Sequence, residues 1–172
     1  MPANWSGTLL RSTHELVVTD AGPLMALGRH DVLGLLPALF RQVHVPELVL
    51  RECLTRPELP DAQRIQAALT EGWLCVRDVP PWDMRGLDLG ERCAIGMALD
   101  LGAVLLVDDR AARRHAEALG LSVLGTLGVL VLAKRRGLLE AVRPLVQDMR
   151  DGGHFISQVA FEAVLQAAGE AG

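Results

Sequence analysis

An apolar run that ends in a carboxylate occurs twice in this sequence, and it constrains the fold more than any other feature. Leu16–Thr19 is followed by Asp20. Ala103–Val107 is followed by Asp108 and Asp109. Runs of this length without polar alternation are typical of parallel strands that are buried on both faces. In open α/β sheets, ligands bind at the carboxyl edge of such strands, so the recurrence favours a site at that edge.

Strand-like and helix-like segments alternate along the chain, which predicts an α/β fold with a doubly wound, mainly parallel sheet. Half of the 172 residues are hydrophobic and few are aromatic, which suits a helix-rich body better than an all-β sandwich. The predicted strands are Leu16–Thr19, Val43–Val45, Trp73–Val76, Ala103–Val107 and Ser122–Leu124. The predicted helices are Pro23–Arg29, Val32–Leu39, Pro46–Thr55, Asp61–Thr70, Leu89–Leu101, a helix from Asp108 or Asp109 to Leu119, Leu127–Arg136, Leu138–Met149 and Ser157–Ala168.

Residues 15–168 are predicted to form a single domain, preceded by a flexible extension of residues 1–14. Asp61 and Ser157 are predicted helix N-caps. The net charge of −4 provides no overall positive field for nonspecific nucleic-acid binding. No stretch is long enough to span a bilayer, and the N-terminus lacks the apolar core of a secretory signal. The widely spaced cysteines predict buried free thiols in a reducing cytoplasm rather than a disulfide or zinc framework.

Carboxylates form the candidate site, and they are Asp20, Glu52, Glu91 and Asp109, with Asp108 beside the last. Asp20 and Asp109 follow apolar strands, and Glu52 and Glu91 lie on helices that follow strands or loops. Because the carboxyl ends of parallel strands and the starts of the following helices share one rim of the sheet, all four can converge there. Carboxylates at close range repel one another, so a cation or raised pKa values must compensate. Oxygen ligands without His or Cys suit Mg²⁺ or Mn²⁺. Such a site activates water and stabilises displacement at phosphorus.

Each carboxylate also has a plainer interpretation. Asp20 and one residue of the Asp108–Asp109 pair are candidate N-caps, and Glu52 is equally consistent with a solvated helix position. Glu91 lies in a first helical turn, where an acidic residue complements the helix dipole. From periodicity alone, this last interpretation is the better one for Glu91.

Several segments together resemble one family, and they are Val17–Leu24, Val45–Glu52, Leu89–Ile95, Leu105–Arg113, and Val123–Leu130 with Lys134–Leu138 after it. They resemble a PIN domain, and more narrowly the DUF3368 branch, which is similar to the VapC-type toxins. The resemblance covers about Leu16 to Leu165. It implies a three-layer α/β/α fold and cleavage of RNA phosphodiester bonds that depends on Mg²⁺ or Mn²⁺.

The four acidic positions of the family are matched in this chain by Asp20, Glu52, Glu91 and Asp109. The resemblance implies that Asp20, Glu91 and Asp109 hold the metal, with Asp108 in support. Thr19 is predicted to orient a ligand or a metal-bound water. Cys93 stands where related sequences often carry another Glu, so the acidic set is small.

Basic residues after the last carboxylate are candidates for RNA phosphate contacts. Arg110 and Arg113 are the predicted substrate-binding residues, with Arg114 beside them. Lys134–Arg136 forms a second basic cluster, which is better explained as a solvated helix face. The family resemblance further implies a homodimer, for which the apolar helices near residues 23–39 and 61–70 are candidates, and a small antitoxin partner.

Three functions are therefore compared. The leading hypothesis is a metal-dependent endoribonuclease that is the toxin of a toxin–antitoxin pair. The second is a weak or inactive module that binds RNA or protein. The third is a phospho-acceptor receiver domain, which requires a lysine after a late strand, whereas Lys134, the only lysine, lies inside a predicted helix.

Overall fold

The computed structural model of the chain describes residues 16–172, and the predicted extension of residues 1–14 lies outside them. The described residues form two compact units, one ending at Thr126 and the other beginning at Leu127. The first unit contains the sheet and all the predicted site residues. A single domain over residues 15–168 stays a prediction.

Strands and helices alternate through the described residues, as the sequence predicts. The strands are β1 (Leu16–Thr19), β2 (Gln42–Pro46), β3 (Leu74–Arg77), β4 (Val104–Leu106) and β5 (Val123–Leu124). The helices are α1 (Ala21–Arg29), α2 (Leu35–Leu39), α3 (Glu47–Cys53), α4 (Pro60–Glu71), α5 (Leu89–Leu101), α6 (Arg110–Ala118), α7 (Thr126–Arg135), α8 (Arg143–Asp151) and α9 (Gln158–Ala167).

The strands form one parallel sheet in the order β3-β2-β1-β4-β5. Val18 of the central strand lies in register with His44 on one side and with Leu105 on the other. The chain builds outward from β1 to β3 and then returns to the opposite side with β4. The carboxyl ends of β1 and β4 therefore meet where the strand order reverses, which is the ligand-binding position of open α/β sheets.

Both faces of the sheet are buried, which explains the uninterrupted apolar strands. Val18 and Leu105 belong to a core cluster with Ile95 of α5 and Ala112 of α6. Val17 is the neighbour of Val18 and points to the opposite face, and it is equally inaccessible. Burying one such aliphatic side chain stabilises the fold by about 1.5–3 kcal/mol. The α/β class with helices on both sheet faces is confirmed.

The predicted N-cap at Asp61 is wrong. Helix α4 begins one residue earlier at Pro60, with Leu59 as its N-cap, because proline suits the first helical turn. Asp61 lies inside that turn, is 2% exposed, and faces the Arg29 guanidinium at 3.5 Å. A Cβ on Gly28 would lie 3.2 Å from the Cα of Asp61, so glycine allows α1 and α4 to pack closely.

Other boundaries follow from backbone signals. Ser157 is the N-cap of α9, as predicted, and accepts a hydrogen bond from the Ala160 N–H. Helix α8 begins at Arg143 rather than Leu138, since Gly137 has φ +72° after α7 and Pro144 occupies the first turn of α8. The apolar residues of α1, α2 and α4 are largely buried within the first unit, and the homodimer stays a prediction.

Candidate active site

Asp20 lies at the reversal point of the strand order. It occupies the N-cap position of α1, but its side chain makes no capping hydrogen bond. Its backbone N–H donates to the Leu106 carbonyl at 2.9 Å, which fixes the end of β1 beside β4. The half-buried carboxylate is therefore not used to cap the helix, so the structure does not give Asp20 the alternative capping role.

Glu52 approaches this edge from α3. A Cβ on Gly90 would lie 3.7 Å from Glu52 Oε2 and 3.3 Å from both Asp88 Oδ1 and Val49 Cγ2. The missing side chain at Gly90 thus lets the start of α5 pack closely against α3. This close packing brings the exposed Glu52 carboxylate near the first turn of α5.

Glu91 lies in that first turn and forms a capping box with Asp88. Asp88 Oδ1 accepts from the Glu91 N–H at 2.8 Å, and Glu91 Oε2 accepts from the Asp88 N–H at 3.0 Å. The pair satisfies two otherwise unpaired backbone donors. Asp88 is the site residue that our sequence analysis missed, although an acidic N-cap followed three residues later by Glu is the sequence signal of a capping box.

Asp109 and Asp108 follow β4 and have different partners. Asp109 is the N-cap of α6, and its Oδ1 accepts from the Ala112 N–H at 2.9 Å. Asp108 accepts two hydrogen bonds from Thr126, one from its N–H at 2.8 Å and one from its Oγ1 at 2.6 Å. Asp108 Oδ2 also lies 4.0 Å from the Cβ position of Gly22. Asp108 thus holds the buried Thr126 in place.

The carboxylates interact electrostatically. Burial raises the pKa of Asp20 to about 7; the Ala21 N–H opposes this rise, and the charges of Glu91, Asp88 and Glu52 add to it. The pKa of Glu52 is raised by burial and by Asp88. Burial also raises the pKa of Glu91; its hydrogen bond from the Asp88 N–H opposes this, while Asp88, Asp109 and Glu52 raise it further. The structure thus brings together the four predicted acids and Asp88.

A known family matches nearly the whole chain. The DUF3368 model, described as a PIN domain, matches residues 16–170. The chain belongs to the PIN domain family. Proteins of this family are generally nucleases and usually bind divalent metal ions. This assignment disfavours the receiver-domain hypothesis.

The PIN domain assignment agrees with a solved structure. The chain is similar to a PilT N-terminus domain protein from the hyperthermophilic archaeon Sulfolobus solfataricus P2, with a TM-score of 0.50 and 22% sequence identity. The match covers 74% of this chain and 96% of that chain. At this identity the likeness supports the fold alone. No curated protein matches the chain significantly.

The acidic cluster suits a divalent ion in donor chemistry but does not form a ready-made cage. Within residues 16–172, no group of three or more His, Cys, Asp or Glu side chains is close enough to enclose a metal ion. Mg²⁺ usually keeps several waters and is bound through one or two carboxylates. The mutual repulsion around Asp20 is the environment that a bound cation would relieve. The donor set therefore fits a water-rich Mg²⁺ or Mn²⁺ site.

The predicted substrate-binding residues differ in exposure. Thr19 is fully buried, and its hydroxyl donates to the Asp20 carbonyl at 2.9 Å, so it supports the backbone of the site. Arg110 is exposed at the start of α6. Arg113 is half-buried, and its Nη1 donates to the Val107 carbonyl at 3.2 Å. Arg110 is the better placed of the two arginines to meet a ligand in solvent.

The second basic cluster has its own partners within residues 127–172. Lys134 Nζ donates to Glu170 Oε1 at 2.9 Å and to the Glu140 carbonyl at 2.7 Å. Arg135 donates to the Ala167 carbonyl from both Nε and Nη2. These contacts give both cations a structural role in this unit, whereas the sequence analysis explained the cluster as a solvated helix face.

The cysteines carry free thiols. Cys53 and Cys93 are buried and Cys75 is half-buried. Burial raises the pKa of Cys53 to about 12, and the charges of Glu52, Asp20 and Asp61 add to this effect. The Cys53 thiol is therefore not an activated nucleophile despite its position beside Glu52.

Of the helices in residues 16–172, none has the length and apolar character needed to cross a bilayer.

Proposed function

We propose that this PIN domain is a divalent-metal-dependent endoribonuclease and the toxin of a toxin–antitoxin pair. The observation that carries the proposal is the raised pKa of Asp20, caused by its burial and by the charges of Glu91, Asp88 and Glu52. A cation bound at this edge would relieve the repulsion among these like charges. The position at the reversal of the strand order also supports a ligand site there.

In this proposal Asp20, Glu91 and Asp109 hold Mg²⁺ or Mn²⁺, and Glu52 completes the catalytic set. A bound divalent ion lowers the pKa of water and stabilises negative charge at phosphorus. Asp88 and Gly90 position Glu91 and Glu52 through the close packing of α3 and α5. Asp108 acts in support, through its hydrogen bonds to Thr126.

The RNA strand is proposed to cross the start of α6. Arg110 contacts a phosphate there, and Arg113 contributes charge from its half-buried position. Such contacts position a nucleic acid without reading its sequence. Thr19 acts on the ligand indirectly, through the Asp20 backbone that its hydroxyl contacts. A small antitoxin and a second copy of the chain are the further partners that we propose, and the cytoplasm is the proposed location.

A non-catalytic binding module is the second candidate. This candidate is favoured because residues 16–172 contain no preformed group of three side chains that could hold a metal ion. It predicts that metal and RNA bind without turnover.

Cleavage of a mixed panel of single-stranded and structured RNAs tests the proposal, with Mn²⁺, Mg²⁺ or EDTA present. We expect metal-dependent cutting that Asp20→Asn lowers by about a hundredfold or more, because a charged ligand of the cation is lost. Asp100→Asn is the matched control, since Asp100 is exposed on α5 and is not among the charges that raise the pKa of Asp20.

Circular dichroism must show that Asp20→Asn keeps the fold. Cutting by the folded variant at the wild-type rate would contradict the site assignment. Metal binding by the wild-type protein without any cutting would favour the binding module.

A further inference from the structure

A pocket of about 390 Å³ lies at the β3 edge of the sheet and includes none of the acidic residues described above. The residues that line it include Arg41, Gln42, His44, Trp73, Cys75 and Arg77. Cys75 pairs in register with His44, and Arg77 pairs with Pro46. Since alternate residues of a strand share a face, Cys75 and Arg77 lie on the same face of β3.

His44 is a buried polar group without a full set of hydrogen bonds. It is 3% exposed, and its Nε2 lies 3.2 Å from Gln42 Oε1. Its Nδ1 is buried and lacks a hydrogen-bond partner within residues 16–172. An unsatisfied buried polar atom costs about 1–3 kcal/mol. His44 is among the residues that line the pocket, so this unsatisfied ring lies beside the space that a ligand would occupy.

The charged side chains that line the pocket are basic, although the chain has a net charge of −4. Both charged residues among those lining the pocket are arginines, Arg41 and Arg77. Burial and, to a lesser extent, the charge of Arg77 lower the pKa of His44. Trp73 is half-buried, and its Nε1 donates to Glu71 Oε2 at 3.1 Å, which fixes the indole ring. The pocket thus combines two guanidinium groups with an oriented aromatic face.

We propose that this pocket binds a nucleotide, with its phosphate at Arg41 and Arg77 and its base against Trp73. Guanidinium groups suit phosphate oxygens, and base stacking on an aromatic side chain tolerates every base. The ligand lies against the His44 ring, which lines the pocket. The ligand is either a free mononucleotide or the terminal nucleotide of an RNA strand. This inference does not depend on the ribonuclease activity, because binding here needs neither a metal nor the carboxylates.

Equilibrium binding of nucleoside monophosphates to the full chain tests the proposal, with EDTA present so that no divalent ion recruits phosphate to the acidic cluster. We expect Arg77→Gln and Trp73→Ala each to weaken binding by about tenfold, as loss of one charge-assisted hydrogen bond or one stacked base implies. Arg56→Gln is the matched control, since Arg56 is exposed, pairs with Glu58 and does not line the pocket.

Imidazole resonances give a second readout. Nucleotide should shift the ring signals of His44 and leave those of His115, which is exposed on α6, unchanged. A 5′-phosphorylated RNA that competes with the mononucleotide would identify a strand end as the ligand, and failure to compete would identify the free nucleotide.

Three results would overturn the proposal. The first is no binding of any monophosphate at millimolar concentration. The second is binding that Arg77→Gln leaves unchanged. The third is binding of inorganic phosphate as tight as that of nucleotide, with no effect of Trp73→Ala, since the aromatic wall would then have no role.

Discussion

Asp20 is the carboxylate of the candidate site whose environment most clearly disfavours its own charge at the residue scale. The carboxylate is half-buried next to Glu91, Asp88 and Glu52, and its pKa is raised to about 7. A bound cation reverses this balance, since an opposite charge favours the ionised form. The same side chain is therefore unfavourable for the metal-free protein and well suited to the metal-bound one.

The free energy of unfolding should depend on pH through Asp20. The unfolded chain loses this proton near pH 3.8, whereas the folded protein keeps it to about pH 7, so stability falls as the pH rises between these values. In EDTA at pH 8, Asp20→Asn should therefore be more stable than the wild type by about 1–3 kcal/mol. Urea unfolding at pH 8 and at pH 4.5 measures the difference, which should shrink at the lower pH.

Asp100→Asn serves again as the control, and its difference in free energy of unfolding from the wild type should be the same at pH 8 and at pH 4.5. An Asp20→Asn protein that is less stable than the wild type at pH 8 would show that the carboxylate is not destabilised by its surroundings. The thiol of Cys53 titrates far above this range, since its pKa is about 12, and does not disturb the comparison.

Helix α5 shows how one element positions a site at the scale of secondary structure. Its first turn holds Glu91 through the capping box with Asp88, and Gly90 lets it approach α3. Further along, a Cβ on Gly96 would lie 2.2 Å from Trp82 Cδ1, so the indole of the preceding loop lies directly on the helix. Arg92 donates to the Trp82 carbonyl and holds the same loop.

Loss of the Asp88 cap should fray the start of α5. Asp88→Ala removes the acceptor for the Glu91 N–H and should lower the free energy of unfolding by about 1 kcal/mol. Asp88→Asn keeps a good N-cap and should stay close to the wild type. Chemical denaturation of both variants checks this. Equal losses in the two would mean that the charge of Asp88, and not its cap, stabilises the helix.

A side chain at Gly96 should displace Trp82 from α5. Gly96→Ala places a methyl group where the indole lies, so Trp82, which is only 41% exposed, must leave the helix surface. The helix gains about 1 kcal/mol of intrinsic propensity from alanine, which offsets part of the lost burial, and the loop should loosen. Faster tryptic cleavage after Arg85, which is exposed in this loop, measures the effect.

Gly34→Ala is the control for this substitution, since a Cβ on Gly34 meets nothing within 4 Å. Cleavage after Arg85 at the same rate in all three proteins would show that Trp82 does not hold the loop.

The balance of charge matters at the scale of the whole molecule. The chain carries a net charge of −4, and its carboxylates converge at one edge of the sheet while arginines line a pocket at another place in the first unit. A ligand that binds only the folded state stabilises it by mass action. Divalent cations and nucleotides should therefore act on stability through separate sites.

Divalent cations should raise the melting temperature of the wild type at pH 8. At ten times its dissociation constant, Mn²⁺ adds about 1.4 kcal/mol to the free energy of unfolding, which corresponds to roughly 3–6 °C for a chain of this size. Differential scanning calorimetry with and without Mn²⁺ measures the shift. The Glu91→Gln variant should show a much smaller one, and an equal shift would place the ion elsewhere.

The sequence by itself determined the class of fold and most of its elements. Uninterrupted apolar runs such as Leu16–Thr19 can only be buried on both sides, and α5 was predicted with the bounds that it has. Local signals were misread where proline or glycine decided the boundary: α4 begins at Pro60, and α8 begins beside Pro144. Both prolines lie in the first turn of their helix, and this signal was present in the sequence.

Tertiary structure alone decided which residues meet. Strand order depends on long-range pairing, so only the fold places β4 beside β1 and thus brings Asp20 near the end of β4. The roles of Asp108 and Asp88 depend on residues that are distant from them in sequence. Asp108 accepts a hydrogen bond from Thr126, eighteen residues away. The charge of Asp88 contributes to the raised pKa of Asp20. Residue spacing along a chain predicts which helices and strands form, whereas the free energy of packing determines which of them lie next to each other.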